Sequence, residues 1–459
     1  MKLFCAMVGM AVGIIEVDID NNAYVTALRD AIATKNEEIK KSALRLKLFL
    51  AKKGNAWLTD TEAAGVGGDL ESLGFKLMKS VRLLKNPEYF GEDFQTGEGH
   101  VHVLVVVPEE NMTVGEPVVD VDGVNIYVTS NMTLNPPDLV AFWRAFQAID
   151  TKIEADSVIA LPEGTFILGN PKVGSRIYIR PCYPQLWEVC WHIIHHETPN
   201  LVILGNPGIG KTYFGYLLLL FLARLGKTVV YESRRTKRRF LFSRNVVIKG
   251  SQQDFDDILE QDTTYYVVDA MEPREFQART ILVTSPDRDV WYTFNKISCQ
   301  TRYMPVWTEQ EIFSCREQVY STIPKSVVQK CFYRWGGIPR YVLQYAQFDN
   351  HQALIEKALE VVDFDWLMNA YGKLDDNNSQ AHRLLHYRVN ERFTCDYFGF
   401  ASSFVQHEVY QHLHKKEKRK LLEFIGRSVG SGDLSVLRDR LAEEHDHHCA
   451  RTHKKLKRF

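Results

Sequence analysis

No apolar run in this sequence approaches the ~18 residues of a membrane-spanning helix. The longest after the start, YFGYLLLLFLARL at 213–225, is short and contains Arg224, so it reads as a buried helix. No CxxC spacing occurs among the eight cysteines, Cys5, Cys182, Cys190, Cys299, Cys315, Cys331, Cys395 and Cys449. Their scatter excludes a disulfide framework and a paired-cysteine zinc site. Apolar neighbours such as Phe4, Val189 and Phe332 point to buried thiols in a reducing compartment. Nor is there a net charge to draw the chain toward nucleic acid or membrane, since the formal balance is −1.

What is present is enough apolar material, 45%, to bury a real core. The 459 residues suggest roughly two to four domains. Residues 1–108 form a first unit: KLFCAMV and GIIEVDID are strand-like runs separated by GMAVG, a hairpin turn. Tyr24, Leu28 and Ile32, with Val25 and Ala31 beside them, predict a helix capped from Asp20 to Asn22. LKLFLAK at 46–52 and HVHVLVVVP at 100–108 are further strands, and the β-β-α-β…β order suggests a ubiquitin-like β-grasp header.

Residues 109–150 read as a turn-rich, acidic connector ending in a helix that starts after Pro136 and Pro137. From 151 to 345, LVILG, KTVVYE, NVVIKG, TYYVVDA and TILVTSP alternate with helical or loop stretches. That rhythm predicts βα units around a mainly parallel sheet. Residues 346–459 read as a helical region whose end, HDHHCARTHKKLKRF, is a poorly ordered basic tail. The fold class expected is therefore multidomain α/β.

The chemistry sits in GNPGIGKT: Gly205, Asn206, Pro207, Gly208, Ile209, Gly210, Lys211 and Thr212. It satisfies the G-x-x-x-x-G-K-[ST] phosphate-loop pattern. A strand delivers the chain to the sheet edge, the glycines let backbone N–H groups curl around a phosphate, and the next helix adds its positive end. Lys211 would reach the β- and γ-phosphates of ATP or GTP, and the Thr212 hydroxyl would ligate Mg²⁺. Asp269, closing the apolar run TYYVVDA, is the candidate second metal-side acid. Ala270 follows where many vigorous ATPases carry Glu, which leaves Glu272 or Glu275 to orient a water. Thr284 or Ser285 is a candidate γ-phosphate sensor, and Arg340, after a Gly-Gly-x-Pro turn, a candidate charge stabiliser.

Weaker features accompany these. RRTKRR (234–239) and KKEKRK (415–420) are basic runs that would serve nuclear import or nucleic-acid contact, though such runs are more often solvated faces. His445, His447, His448 and Cys449 lack a second ligand pair at finger spacing. Asn111, Asn131 and Asn377 lie in glycosylation sequons, relevant only in a glycosylating compartment.

LKLFLAK, that is Leu46, Lys47, Leu48, Phe49, Leu50, Ala51 and Lys52, fits the L-x-L-F-L-A-K translocation signature of the Crinkler effectors of oomycetes and related pathogens and symbionts. With KLFCAMVG before it and HVLVVVP (102–108) after it, the first unit resembles a Crinkler header, although the Asp-Trp-Leu signature often found in that family's intermediate segment is missing from this one. The central part, through YIRPCYPQLW, GNPGIGKTYFGYLLL, KTVVYE and WGGIPRYVL, is similar to the NTPase module shared by some Crinklers and the retrotransposon-hot-spot proteins. No Asp…Glu-x-Lys arrangement follows it, so the nuclease-like domain common after such modules is expected to be truncated or lost.

The resemblance implies a secreted effector that enters host cells, reaches the host nucleus, meets host proteins there and provokes or modulates cell death. The alternatives are a small-molecule or nucleotide kinase and an effector whose NTPase is degenerate and only binds. The first thirteen residues resemble a signal peptide's charged and apolar regions, with the Ala11–Gly13 stretch as the nearest cleavage site. The alternation beyond Gly13 favours a structural strand in a protein that is still exported.

Overall fold

The computed structural model describes all residues except 9–13, 36–45, 55, 67–69, 72, 81, 93, 98, 107–117, 297, 373–379, 428–432 and 457–459. The expected GMAVG turn and the Asn111 and Asn377 sequons lie outside the described residues. The chain divides into two compact units, Met1–Glu116 and Pro117–Phe459.

In the first unit, β1 (Lys2–Met7), β2 (Ile15–Asp18), β3 (Lys47–Leu50) and β4 (Val103–Val106) form one sheet in the order β2-β1-β4-β3. β1 pairs antiparallel with β2 (Leu3 opposite Val17) and parallel with β4 (Ala6 opposite Leu104), while β3 runs antiparallel to β4. β1 is thus an inner strand, and removing residues 1–13 would take out the strand that joins β2 to β4. α1 (Val25–Thr34) buries Leu28 and Ile32 of the expected face, with Val25 beside them, while Tyr24, the first residue of that face, is exposed. Its cap differs: Tyr24 holds the N-cap position, and the Asp20 carboxylate instead accepts from the Asn22 amide in a turn ahead of the helix.

Alternation along LKLFLAK splits the motif between two cores. Leu46, Leu48 and Leu50 join one with Leu28 and Val103, and Phe49 and Ala51 join the other with Leu58 and Leu104. Only Lys47 and Lys52 of the motif reach the surface.

Beside this strand His102 is completely buried among Phe4, Trp57 and Phe94. Its Nδ1 accepts from the Phe4 amide at 3.1 Å, so the proton sits on Nε2, which has no partner. Burial, with His100 nearby, pushes its pKa down to about 4 from 6.5. Because protonation favours the unfolded chain, His102 leaves stability intact above pH ~6.5 and withdraws it progressively as pH falls from 6.5 to 4, by about 3 kcal/mol in all. In acid denaturation profiles of the whole chain, His102→Gln is expected to lack that share of the loss. Superimposable wild-type and variant profiles would refute it.

The second unit is built on an eight-stranded sheet: β5 (Thr133–Leu134), β6 (Asn200–Leu204), β7 (Val229–Ser233), β8 (Arg238–Phe242), β9 (Val247–Gly250), β10 (Tyr265–Asp269), β11 (Arg279–Val283) and β12 (Cys299–Tyr303). The order is β5-β9-β8-β7-β10-β11-β6-β12. β7, β10, β11, β6 and β12 are parallel, and β8, β9 and β5 extend the sheet antiparallel. The parallel strands β6, β7, β10 and β11 are buried on both faces, with Leu201 and Ile203 toward one core and Val202 and Leu204 toward the other. That explains their continuous apolar runs.

Two sequence expectations change here. The stretch 109–150 carries a hairpin (Val118–Val121 with Val124–Tyr127), β5 and helix α2 (Pro137–Ala148), so from Pro117 it groups with the second unit. Trp143 of α2 is the anchor: its indole N–H donates to Ser243 O at 2.7 Å and its ring stacks on Phe242. RRTKRR is a hairpin turn running into β8, where Arg238 is exposed and Arg239 completely buried.

Helices α3 (Cys182–His196) and α4 (Lys211–Arg224) flank β6, and α4 is buried on nearly every side, as its leucine run predicts. After β12 come α5 (Glu309–Val319) and α6 (Lys325–Trp335). The C-terminal region is helical but also contains the antiparallel hairpin β13 (Leu385–Val389) and β14 (Cys395–Phe400), followed by α7 (Ser403–Lys416) and α8 (Lys418–Gly426). Of the expected disordered tail, the part described, through Leu456, belongs to helix α9 (Asp433–Leu456). Buried Leu437 and Leu441 hold it, with His407 of α7 bonded to Glu444 and Tyr410 to His445. Among the described residues no three metal-binding side chains converge, and Cys449 only approaches His445.

Candidate functional site

The P-loop curls at the carboxyl end of β6. Gly208 (φ 91°) and Gly210 (φ 95°) sit in the left-handed region that side chains avoid. A Cβ on Gly205 would meet Ile209 Cδ1 at 2.7 Å and Met304 O at 2.9 Å. The loop's carbonyls are tied outward: Gly208 O accepts from the Arg340 amide (3.3 Å), Ile209 O from the Trp307 indole (2.7 Å) and Gly210 O from the Tyr183 hydroxyl (3.3 Å). The N–H groups of Gly208, Ile209 and Gly210 have no backbone acceptor among the described residues, which suits an anion cradle.

Lys211 opens α4 and is buried, its Nζ donating to Gly205 O (2.7 Å) and Asn206 O (2.8 Å). Burial, then the nearby Arg340 charge, brings its pKa down to about 7, against the pull of Asp269. Next along the helix, the Thr212 hydroxyl donates to Asp269 Oδ1 at 3.1 Å. Asp269 is itself buried at the end of β10, where Tyr231 and Ser233 hydroxyls also face it at 3.5 Å. Burial raises its pKa, opposed by the Thr212 bond and Lys211. A hydroxyl and a carboxylate held together in this way are hard oxygen donors of the kind Mg²⁺ takes.

β11 separates β6 from β10, and at its end buried Thr284 lies between the P-loop strand and the Asp269 strand, its amide on Ile203 O. Ser285 follows, half-buried. Ala270 turns the chain at φ 60°, and Glu272 and Glu275 are exposed beyond it. Arg340 lies against the P-loop, because a Cβ on Gly208 would meet its Cβ at 2.9 Å and its Nε at 3.3 Å.

Several supports carry no motif. Asn206 is fully buried, its side chain donating to Leu385 O (3.1 Å) and His382 O (3.5 Å) and accepting from the Tyr387 amide (3.0 Å). Arg180, also buried, pairs with Glu311 at 2.9 Å, donates to Pro305 O and Val306 O, and lies over the Trp307 ring. The one sequence signal for it is an arginine ending an apolar run, IYIR. The hairpin turn of the first basic run lies against Asp269, whose carbonyl accepts from the Arg234 amide. Arg234, Arg235, Lys237 and Arg238 are exposed there. In the second run Lys420 is matched by Asp365 and Glu417.

The Crinkler effector protein N-terminal domain matches residues 1–106. The first unit belongs to the Crinkler N-terminal domain family. The Crinkler header continues into a chain similar over most of its length to Crinkler effector protein 15 of Phytophthora infestans, at 24% identity over 94% of this chain and 74% of that one. Crinkler effector protein 4 of Phytophthora capsici is 45% identical over 24% of this chain and 26% of its own. Among solved structures, AMPPCP-bound DnaA from Aquifex aeolicus matches 61% of this chain and 90% of its own at 12% identity. Its TM-score of 0.26 is too distant to carry fold or function.

Proposed function

We propose that this chain is a secreted pathogen effector of Crinkler type that enters host cells and the host nucleus and elicits or modulates host cell death, using a P-loop NTPase that binds Mg-ATP or Mg-GTP. The Crinkler header supports the effector part. Its sheet order and crossing helix support a ubiquitin-like β-grasp. Burial of the apolar half of LKLFLAK supports a motif acting through the folded header, with Lys47 and Lys52 as its accessible groups.

The single observation that carries the NTPase reading is the Thr212–Asp269 bond beside the Gly205–Lys211 cradle. Lys211 would hold the β- and γ-phosphates, Thr212 and Asp269 the Mg²⁺, and Arg340 the charge of the transferred group. The bound ion would supply Lewis-acid neutralisation of the phosphates. Turnover would switch a conformation. The exposed cations at 234–238 support a polyanionic partner such as nucleic acid near the same edge.

In a steady-state ATP and GTP hydrolysis assay on the whole chain, Asp269→Asn is expected to lower Mg²⁺-dependent turnover by about a hundredfold. Equal turnover in wild type and variant would sink the metal assignment. Ala270, in place of a water-orienting Glu, favours a second reading in which the module binds nucleotide without hydrolysis. Tight binding with no wild-type turnover would select it.

A further inference from the structure

We propose that the second unit holds a separate ligand site, a cleft of about 790 Å³ at the Gly336–Gly337 turn, which takes a small planar organic anion through Arg388. Its volume lies within the ~300–1,000 Å³ of small-molecule sites. One wall is the Trp307–Glu309 segment entering α5. The others are α6 at Phe332 and Tyr333, Arg388 and Tyr397 of the β13–β14 hairpin, and Ser402–Ser403 entering α7.

The cleft is braced. Gly336 has φ 60°, and a Cβ there would meet Ala401 O at 2.1 Å; a Cβ on Gly337 would meet Trp307 O at 1.9 Å. Gly337 O also accepts from the Trp307 amide. Only glycines let these walls meet.

Its charge is unmatched. The Arg388 side chain lies across Gly399 and spends one Nη2–H on Phe400 O at 2.7 Å. Among the described residues its Nε and Nη1 have no partner and no carboxylate pairs with it. Burial destabilises its charge, with Arg440 adding repulsion. Behind the Gly336 floor, His386 is completely buried with neither ring nitrogen partnered, its Cε1 3.4 Å from where a Gly336 Cβ would stand. The N-termini of α5 and α7, capped by Thr308 and Ser402, open on the same space. A half-buried guanidinium without a counter-ion beside two helix N-termini favours an anion. Asp396 and Glu309 are the opposing carboxylates; both are exposed, and Asp396 is engaged by Asn390 at 2.7 Å. Tyr333 and Tyr397 offer ring surface for a planar body.

The test titrates benzoate and phenyl phosphate into the full chain, followed by tryptophan fluorescence and saturation-transfer NMR. Saturable binding of either supports the site, and which of the two binds tells a carboxylate ligand from a phosphate. Arg388→Gln is expected to weaken binding by about tenfold or more. Ser403→Asp, at an exposed first helical position where acid is tolerated, should do the same without risk to folding. Lys211→Ala should leave the titration unchanged. Absence of saturation with both probes, or binding that survives both cleft variants, overturns the proposal. Loss in Lys211→Ala also overturns it, by assigning the anion to the P-loop. Failure of wild-type ATP binding would overturn the NTPase reading alone.

Discussion

Replacing Lys211 with alanine is expected to abolish nucleotide binding, by at least about a hundredfold in a titration with ATP or GTP. The ammonium is buried inside the loop and held by Gly205 O and Asn206 O, two bonds it can exchange for phosphate oxygens at small cost. Among the described residues no other cation donates to the carbonyls of Gly205 and Asn206, and Arg340, set against Gly208, is exposed. Folding should survive the change, because burial already penalises the charged form. The same depression gives a pH dependence. With a pKa of about 7 in the free protein, Lys211 is largely charged at pH 6 and largely neutral at pH 8. Phosphate binding needs the charged form, so affinity should fall as pH rises through 7, by up to about tenfold per pH unit. Equal affinity in wild type and Lys211→Ala, or affinity flat from pH 6 to 8.5, would remove Lys211 from the site.

The parts of this site that could be read from the sequence are those whose physics is local. Gly205 to Thr212 are contiguous, and their glycines, lysine and threonine each answer one need of a phosphate loop. Asp269 follows from the apolar strand that it ends. The supports could not be read, because their contacts cross 98 residues from Trp307 to Ile209, 131 from Arg180 to Glu311 and 181 from Tyr387 to Asn206. Composition misled in two places. The end of the chain is polar enough to suggest a loose tail, yet Leu437 and Leu441 suffice to seat α9, and His445 finds Tyr410. In RRTKRR, six polar residues conceal the point where a turn becomes a strand and side chains begin to alternate between solvent and core.

That alternation makes neighbouring arginines energetically unlike, and a pair of substitutions should separate them. Arg239 is completely buried. It donates to Glu232 (2.8 Å), Asp256 (2.7 Å) and Asp254 O (2.8 Å), and Glu232, equally buried, also accepts from Tyr266 and from Gln252. Arg239→Met removes the cation and strands the Glu232 carboxylate in the core, which should cost about 3–5 kcal/mol in the denaturant transition of the second unit. Arg238→Met, one residue away and exposed, should shift it by less than about 0.5 kcal/mol. The double variant Glu232→Leu/Arg239→Met removes both charges and lets apolar groups pack between β7 and β8, so it should be more stable than Arg239→Met alone. If Arg239→Met costs under ~1 kcal/mol, or the double variant is worse than the single, then Arg239 is not the buried half of an ion pair. The run 234–239 would then be a uniformly solvated basic face.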